Sequence, residues 1–304
     1  MEKYEAIIIG GGPAGLTAGL YTSRAGLKSL LVERGIVGGQ IINATLVENY
    51  PGFPQGISGA ELGSLMHQQA VKYGLEVVNA EVTGISQGKP YSISTTEGDF
   101  EATAIIIAAG SEYRKLGISG EERLVGHGIS YCATCDGFFF RDREVAIVGG
   151  GDTAITDALE LTRHAKKVYV IHRRDQLRAG YILQQRALAE PKLEFIWTTV
   201  VEEILGEKLV RGLKLRNVKT GQSSILEVAG VFIAVGLMPN SRIFFDIVNL
   251  DDAGYIVTDE AMATSTPGIF AAGDIRKNSP HQIGAAVGDG VTAAISAFKY
   301  VQGE

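Results

Sequence analysis

The sequence lacks several features that would place it in common protein classes. It has only two cysteines in 304 residues and no apolar run near the ~18 residues that cross a bilayer. Positive charge is also scarce, because 28 Lys and Arg face 34 Asp and Glu, for a net charge of −6. A disulfide-rich scaffold and a membrane span are excluded, and an acidic chain of this kind argues against nucleic acid as its partner.

The first residues also lack the marks of a signal peptide. Met1-Glu2-Lys3-Tyr4-Glu5 has no basic region before an apolar stretch and no small-residue cleavage site. We therefore expect a cytoplasmic protein with no membrane partner.

Glycine is what the sequence has in excess. It supplies 39 of 304 residues, about 13% against a usual ~7%, with no Gly-X-Y period. Hydrophobic residues at 45% and charged residues at 20% are ordinary for a globular protein. The length suits two domains, and the glycines predict many tight turns between strands and helices.

An internal repeat at an offset of 139 residues organises the chain. An apolar run at 4–9 leads into the motif GGGPAG at Gly10 and then a helical pattern that ends near Arg24. A second apolar run at 144–148 leads into GGGDTA at Gly149 and a helical pattern to about His164. Further strands at 30–32 and 169–171 keep the same offset. Each copy therefore predicts a βαβ dinucleotide-binding fold.

A single Gly-x-Gly-x-x-Gly match would be weak evidence, but here a strand precedes and a helix follows the motif in both copies, which indicates nucleotide binding. In such a turn the first glycine makes the bend, the second admits a pyrophosphate, and the third lets the helix pack closely. The phosphates bind at the N-terminus of the helix. The residues in these roles are Gly10, Gly12 and Gly15 in the first copy, and Gly149, Gly151 and Ala154 in the second.

The end of the second strand distinguishes the two cofactors. In the first copy it carries Glu33, whose carboxylate can accept bonds from ribose hydroxyls and would repel a 2′-phosphate, which indicates FAD or NAD. In the second copy His172 stands there, followed by Arg173, Arg174 and Arg178. Guanidinium groups suit a phosphate dianion, which indicates NADP. The alternative for the arginines is a solvated basic surface.

The remaining elements return to the first domain. A strand at 268–274 and a helix at 283–300 follow the second copy without repeating a nucleotide motif. We therefore expect an α/β fold with two Rossmann-like dinucleotide-binding domains, the NADPH domain inserted into the FAD domain. The expected boundaries are 1–113 and 242–304 for the FAD domain and 114–241 for the NADPH domain, which carries the cysteines.

The two cysteines, Cys132 and Cys135, form a Cys-x-x-Cys pair that suits redox exchange or half of a metal site. A structural zinc normally needs four ligands, and of the five histidines only His127 is near in sequence, so we expect no metal. A structural disulfide would close a very short loop and constrain the unfolded chain little. The favoured interpretation is a redox-active dithiol.

A flavin is a sensible relay for such a dithiol. NADPH delivers a hydride, whereas a disulfide opens by thiolate attack, and the isoalloxazine ring of FAD connects the two chemistries. Asp136 directly follows the second cysteine and could give or take a proton there. Its alternative is a helix N-cap before Phe138, and the two roles are compatible.

With these motifs the chain resembles the low-molecular-weight thioredoxin reductases of bacteria and archaea, within the FAD-dependent pyridine nucleotide-disulfide oxidoreductases. The resemblance covers nearly the whole chain, and its most specific motifs are CATCDG at Cys132 and HRRDQLR at His172. It implies that Cys135 lies against the flavin and forms the charge-transfer thiolate, that Cys132 exchanges with the partner disulfide, and that Asp136 is the acid-base. Thioredoxin is the implied substrate, and a homodimer the implied assembly.

The resemblance also implies a set of cofactor contacts. For FAD they are Gly10, Gly12, Pro13, Ala14, Gly15, Glu33, Arg34, Gly39, Gln40, Asn49, Val82, Gly110, Gly273, Asp274, His281, Gln282 and Ile283. For NADPH they are Gly149, Gly151, Asp152, Thr153, Ala154, His172, Arg173, Arg174 and Arg178. One departure is His281, where the family usually has arginine.

Two other functions stay open at this point. One is a related oxidoreductase that serves a glutaredoxin-like or peroxiredoxin-linked protein, or a small-molecule dithiol. The other is a non-enzymatic flavin-bound redox sensor. Complete nucleotide motifs in both copies disfavour the sensor.

Overall fold

The chain folds into two compact units. The computed structural model describes residues 1–44, 46–86 and 88–304. Unit 1 comprises Met1–Glu112 and Met238–Glu304, and unit 2 comprises Tyr113–Leu237. The chain therefore leaves unit 1 once, completes unit 2 and returns.

The helices and strands follow one another in chain order. The first part of unit 1 contains β1 (Glu2–Ile9), α1 (Pro13–Arg24), β2 (Ser29–Glu33), α2 (Gly59–Val71), β3 (Glu76–Asn79), β4 (Val82–Ser86), β5 (Tyr91–Thr95) and β6 (Gly98–Ile107). Next come β7 (Ser111–Tyr113), α3 (Glu121–Leu124), β8 (Ile129–Ser130), α4 (Ala133–Asp136), β9 (Glu144–Gly149), α5 (Asp152–Leu161), β10 (Lys167–Ile171) and α6 (Tyr181–Ala189). The remainder is β11 (Leu193–Ile196), β12 (Thr199–Leu205), β13 (Gly212–Asn217), β14 (Ser223–Glu227), β15 (Gly230–Ala234), β16 (Leu237–Pro239), β17 (Ile269–Ala271) and α7 (Ile283–Gln302).

Unit 1 is built on a seven-stranded sheet in the order β3-β2-β1-β6-β5-β4, with β17 also on β6. The strands β3, β2, β1, β6 and β17 pair in parallel, whereas β5 pairs antiparallel with β6, and β4 pairs antiparallel with β5. In register, Ile8 lies between Leu31 and Ile106. These strands are apolar at consecutive positions because both faces of the sheet are covered, with one core on each face.

Unit 2 repeats this plan with a five-stranded parallel sheet in the order β11-β10-β9-β15-β8. Alternate residues of β9 enter different cores: Ala146 and Val148 pack on one face, and Val145 and Ile147 on the other. A three-stranded antiparallel sheet, β12-β13-β14, completes the unit. In both units the glycine-rich turn thus follows a central strand with four consecutive buried apolar residues.

Two helix ends differ from the sequence-based expectation. The helix of the second copy ends at Leu161, not near His164; the hydroxyl of Thr162, its C-cap, donates to the carbonyl of Leu159 at 2.7 Å, and the chain turns there. The last helix runs to Gln302 and stops at Gly303, whose φ of 79° is left-handed. Within the described residues, no helix is long and apolar enough to cross a bilayer.

Candidate active site

The first glycine-rich turn lies between β1 and α1 in unit 1. Gly10 has φ +106°, and a side chain there would collide with the Ala108 carbonyl on β6. A Cβ on Gly12 would meet only the Gly39 Cα, at 3.9 Å, so the space in front of the second glycine is open. Pro13 is the first residue of α1, whose N-terminal amides receive no side-chain cap and no acidic residue. This open, uncapped turn fits the pyrophosphate of a dinucleotide.

Glu33 lies at the end of β2 and bonds back to this turn. Its Oε2 accepts a hydrogen bond from the Gly11 amide at 2.6 Å, and its Oε1 accepts one from the Gly35 amide at 2.7 Å. A carboxylate has about four acceptor positions, so two remain for ribose hydroxyls. The carboxylate is therefore fixed beside the phosphate-binding turn. The next residue, Arg34, pairs with Glu112.

Hydrogen bonds join other expected FAD contacts to residues that are distant in sequence. The Asn49 amide donates to Gln282 Oε1 at 3.1 Å, across 233 residues. Gln40 donates to the Ser111 carbonyl at 3.2 Å. The remaining candidates sit at element ends in unit 1: Ala14 and Gly15 are buried in α1, Gly39 opens a 3₁₀ helix, Val82 is buried at the start of β4, Gly110 follows β6, and Ile283 opens α7.

Asp274 lies in the short 3₁₀ helix Gly273–Ile275, which a buried ion pair holds against α7. Asp289 accepts two bonds from the Arg276 guanidinium, at 2.5 and 2.9 Å, and one from the Gly273 amide at 3.1 Å. Because the pair is bidentate and buried, it fixes the segment that presents Asp274. The roles of Asp289 and Arg276 were not expected from the sequence; the available signal was an acidic residue among the small and apolar residues in the first half of the last helix.

His281 has an unusual environment. Its φ of +52° is in the left-handed region, where histidine is uncommon. Its Nδ1 is buried without a hydrogen-bond partner among the described residues and lies 3.7 Å from Asp274 Oδ1. A strained backbone and an orphaned buried nitrogen are typical of a binding site, not of a packing position.

The second glycine-rich turn, between β9 and α5 in unit 2, repeats the features of the first. A Cβ on Gly151 would meet nothing within 4 Å, and α5 has no side-chain cap. Asp152, in the first turn of the helix, uses its Oδ1 to accept from the Gly180 amide at 2.7 Å. Thr153 is exposed beside it, and Ala154 is buried against Gly149. This turn also fits a pyrophosphate.

His172 differs from its neighbours because it is 5% exposed and lies against Gly150. Its Nε2 is 3.1 Å from the Gln176 carbonyl. Burial lowers the pKa of His172, and the nearby Arg178, Arg174 and Arg173 lower it further against the opposing hydrogen bond. The imidazole is therefore neutral at pH 7, and it packs against Gly150 of the turn.

The arginines that follow are exposed. Arg178 is held at the turn by a bond from its amide to the Gly150 carbonyl at 2.7 Å, and the Arg174 carbonyl accepts from the Thr198 amide at 3.1 Å. No acidic side chain among the described residues pairs with Arg173, Arg174 or Arg178, whereas Asp175 pairs with Lys219 at 2.8 Å. Three guanidinium groups are thus free to bind an anion such as the 2′-phosphate of NADPH.

Cys132 and Cys135 are joined by a disulfide in unit 2. Cys132 is the N-cap of the single-turn helix α4, and the Asp136 amide donates to its carbonyl at 3.1 Å. Its own amide donates to Ser130 Oγ at 3.0 Å. Cys132 is half-buried, whereas Cys135 is exposed. Bonds to neighbouring backbone and side-chain atoms therefore hold the pair in a geometry that can close.

Asp136 is the acid beside this disulfide. Burial raises the pKa of its carboxyl, and the Ser130 hydroxyl partly opposes the shift. A raised pKa keeps more of the protonated form, as a proton donor requires. Asp136 also precedes the 3₁₀ helix Gly137–Phe140, but its side chain caps no amide there, so the N-cap alternative is wrong for the side chain.

Exposed aromatic side chains follow the dithiol in the sequence. Phe138 and Phe139 follow it and are 49% and 47% exposed, with the Arg141 guanidinium 4.8 Å from the Phe138 ring centroid. Among the described residues, no three His, Cys, Asp or Glu side chains are grouped as metal ligands.

Comparison with known proteins identifies the family of this arrangement. Residues 4–290 match the pattern of the pyridine nucleotide-disulphide oxidoreductases. The chain belongs to this family. A thioredoxin reductase of Listeria monocytogenes is 51% identical over 98% of this chain and 94% of its own, and one of Bacillus subtilis is 47% identical over 98% and 95%.

A solved structure extends the similarity to the fold. The thioredoxin reductase of Streptococcus pyogenes superposes with a TM-score of 0.95 at 46% identity, covering 99% of both chains. The predicted family and the α/β class with two Rossmann-like domains are confirmed.

Proposed function

We propose that this oxidoreductase uses NADPH and FAD to reduce the disulfide of thioredoxin through Cys132 and Cys135. The observation that carries the proposal is the Cys132–Cys135 disulfide, closed within one helical turn beside an acid of raised pKa. The two open glycine-rich turns, one in each unit, support two dinucleotides. The similarity to thioredoxin reductases at about half identity supports the substrate.

The residues of unit 1 suit FAD. The turn at Gly10, Gly12 and Gly15 would hold the pyrophosphate, and Glu33 the ribose, because its carboxylate is already fixed beside the turn by two amides. Asp274 is positioned by the Arg276–Asp289 pair, and Asn49 and Gln282 are bonded to each other. The other contacts in unit 1 are those that the family resemblance implies.

The residues of unit 2 suit NADPH. The turn at Gly149 and Gly151 would hold the pyrophosphate, and the three unpaired arginines the 2′-phosphate. His172 is buried and its pKa is lowered, so we propose that it packs against the turn and that the arginines supply the positive charge that binds the phosphate.

When bound, FAD supplies a ring that accepts a hydride equivalent and passes an electron pair to a disulfide. The protein's own residues then perform thiol–disulfide exchange. The Cys132 thiolate attacks the partner's disulfide, forming a mixed disulfide and releasing one partner thiolate, which takes a proton. The Cys135 thiolate attacks Cys132 Sγ, which restores the Cys132–Cys135 disulfide and releases the partner as a dithiol.

Asp136 is the proton donor and acceptor for this exchange. Its raised pKa lets it hold a proton for the departing thiolate, and its place next to Cys135 brings that proton to the dithiol.

The surroundings of the dithiol support a protein partner. Two exposed phenylalanines follow the cysteines, with an arginine stacked on one of them. Exposed aromatic and arginine side chains are enriched at protein interfaces. We also propose a homodimer, which the family resemblance implies, and a cytoplasmic location, because dithiol reduction by NADPH belongs to a reducing compartment.

The test is NADPH oxidation with thioredoxin from the same source, followed by absorbance, with glutaredoxin as the competing partner. We expect turnover with thioredoxin, and loss of it in Cys132→Ser while NADPH still reduces the flavin. Turnover with glutaredoxin alone would establish the alternative oxidoreductase. Flavin reduction with no turnover on any partner would favour the redox sensor.

A further inference from the structure

The clearest feature outside the assigned site is a buried carboxylate in unit 2. Glu121, the first residue of α3, is 1% exposed. Its Oε1 accepts from the Leu116 amide at 3.0 Å and from the Tyr131 hydroxyl at 2.9 Å, and its Oε2 accepts from the Gly117 amide at 2.8 Å. A buried charge satisfied by three donors forms a network that holds its partners in one arrangement.

The hydrogen-bond partners of Glu121 belong to two separate segments of unit 2. Leu116 and Gly117 belong to the segment through which the chain enters unit 2, defined here as the first crossing segment, residues 113–117. Tyr131 directly precedes Cys132. The Tyr131 ring also stacks on Tyr113, with centroids 4.9 Å apart and planes 20° apart. Tyr131 is therefore fixed to the crossing segment by its hydroxyl and by its ring.

The crossing segment is itself anchored. The Arg114 amide donates to the Gly236 carbonyl at 2.9 Å, next to the segment by which the chain leaves the unit. Ser119, just beyond, accepts from the Ile204 amide at 2.9 Å. Tyr131, the residue before Cys132, is thus bonded to a segment that is itself hydrogen-bonded to other parts of unit 2.

We propose that Glu121 is a positioning residue for the dithiol: through the Tyr131 hydroxyl it fixes the residue before Cys132 to the first crossing segment. The proposal rests on the proposed redox function of the cysteines. An intramolecular disulfide is favoured when its two sulfurs are held close, because this raises their effective concentration. Release of Tyr131 should make the Cys132–Cys135 disulfide easier to reduce and the Cys132 thiol more reactive.

The variant that tests this is Tyr131→Phe, which keeps the stacked ring and removes only the hydroxyl. The matched control is Tyr169→Phe, because Tyr169 also donates its hydroxyl to a glutamate of unit 2, Glu144, at 3.1 Å, and lies on β10, a strand of the central sheet. Both variants lose one hydroxyl–carboxylate bond. A general loss of stability would therefore affect both.

The readout does not require thioredoxin. The intact FAD-loaded protein is equilibrated with known ratios of reduced and oxidised dithiothreitol, thiols are trapped with iodoacetamide, and Cys132 and Cys135 are quantified by mass spectrometry. We expect Tyr131→Phe to lower the equilibrium constant for disulfide formation about 3- to 10-fold and to speed alkylation of Cys132 relative to Cys135. Tyr169→Phe should match the unmodified protein in both measurements.

Glu121→Gln provides the second arm. It should shift the equilibrium in the same direction, and the double variant with Tyr131→Phe should shift it no further than the larger single change, because both variants weaken the same Tyr131–Glu121 bond. The proposal is overturned if Tyr131→Phe behaves as Tyr169→Phe does, or if the two effects add. Failure of thioredoxin reduction in the unmodified protein would instead count against the proposed function.

Discussion

The two glycine-rich turns share one backbone and differ in the side chains that complete it. Each follows a buried parallel strand, is open at its second glycine and leads into a helix without a side-chain cap. In unit 1, Glu33 bonds directly to the turn, whereas in unit 2 a neutral His172 supports the turn and exposed arginines follow. Under the proposed function, the shared backbone would make the pyrophosphate site, and the end of the second strand would select the dinucleotide.

The helices after the two turns differ as well. Ala18 of α1 is fully buried, and the residue at the same repeat position of α5 is Asp157. Burial raises the pKa of Asp157 to about 6, and the Glu160 charge adds to the shift. No motif in the sequence indicated a special environment for Asp157. The second copy thus carries an ionisable group where the first is apolar.

Among the substitutions that would test the difference between the two turns, we expect the largest effect from Glu33→Gln. Glu33→Gln keeps the shape of the side chain but removes the charge that the Gly11 and Gly35 amides contact and that the ribose of FAD would contact under the proposed function. We expect the affinity of the apoprotein for FAD to fall roughly 10- to 100-fold, since a hydrogen bond to a charged group contributes about 1.5–3 kcal/mol. Fluorescence titration with FAD measures it.

The matched control for that change is Glu5→Gln. Glu5 also accepts from a backbone amide, that of Lys28 at 2.8 Å, but near the start of the same strand pair, away from the turn. Its FAD affinity should equal that of the unmodified protein. An unchanged affinity in Glu33→Gln would remove Glu33 from the binding site.

A smaller effect is expected at Asp157. With a native pKa of about 6 against ~3.9 unfolded, the native state binds more protons between pH 4 and 6. Stability is therefore highest below this window and falls as the pH rises through it. Asp157→Asn should stabilise the protein by on the order of 1 kcal/mol at pH 8 and much less at pH 4.5. Urea unfolding at the two pH values measures the difference.

Asp99→Asn is the control for the Asp157 experiment, because it removes an exposed carboxylate from the surface of β6. Its effect on unfolding should be small and the same at both pH values. A gain in Asp157→Asn that does not grow with pH would contradict a raised native pKa.

The smallest effect is expected at Lys219, which pairs with Asp175 beside the arginines. Lys219→Gln would leave the Asp175 carboxylate free to repel the 2′-phosphate. We expect a roughly twofold loss of NADPH affinity at low salt and no change for NADH, as exposed pairs contribute little. Isothermal titration with both nucleotides measures it. The double variant with Asp175→Asn should regain the affinity; if it does not, the carboxylate is not the cause.

The sequence predicted the parts of this molecule that local patterns encode. The apolar strands, the two glycine turns and the charges at the strand ends are each contained in a short segment, so the repeat revealed them. The burial of His172, the Arg276–Asp289 pair and the contacts of Glu121 were not predicted. They depend on which segments pack together, and no spacing in the chain encodes that packing. The early end of α5 coincides with a turn in which the Thr162 hydroxyl and several backbone amides bond to carbonyls of the last helical turn.

We propose that the arginines of the second copy select NADPH, whereas FAD binds to the first copy. The most direct test compares kcat/KM for NADPH and NADH in the unmodified protein and in the Arg173→Gln, Arg174→Gln, Arg178→Gln triple variant, with FAD content measured in the same samples. The control is Arg163→Gln, which removes an arginine paired with Glu160 at 3.0 Å. We expect the preference for NADPH to fall by on the order of 100-fold in the triple variant, with NADH kinetics and FAD content unchanged. A triple variant that keeps its preference for NADPH, or loses FAD instead, would contradict the account.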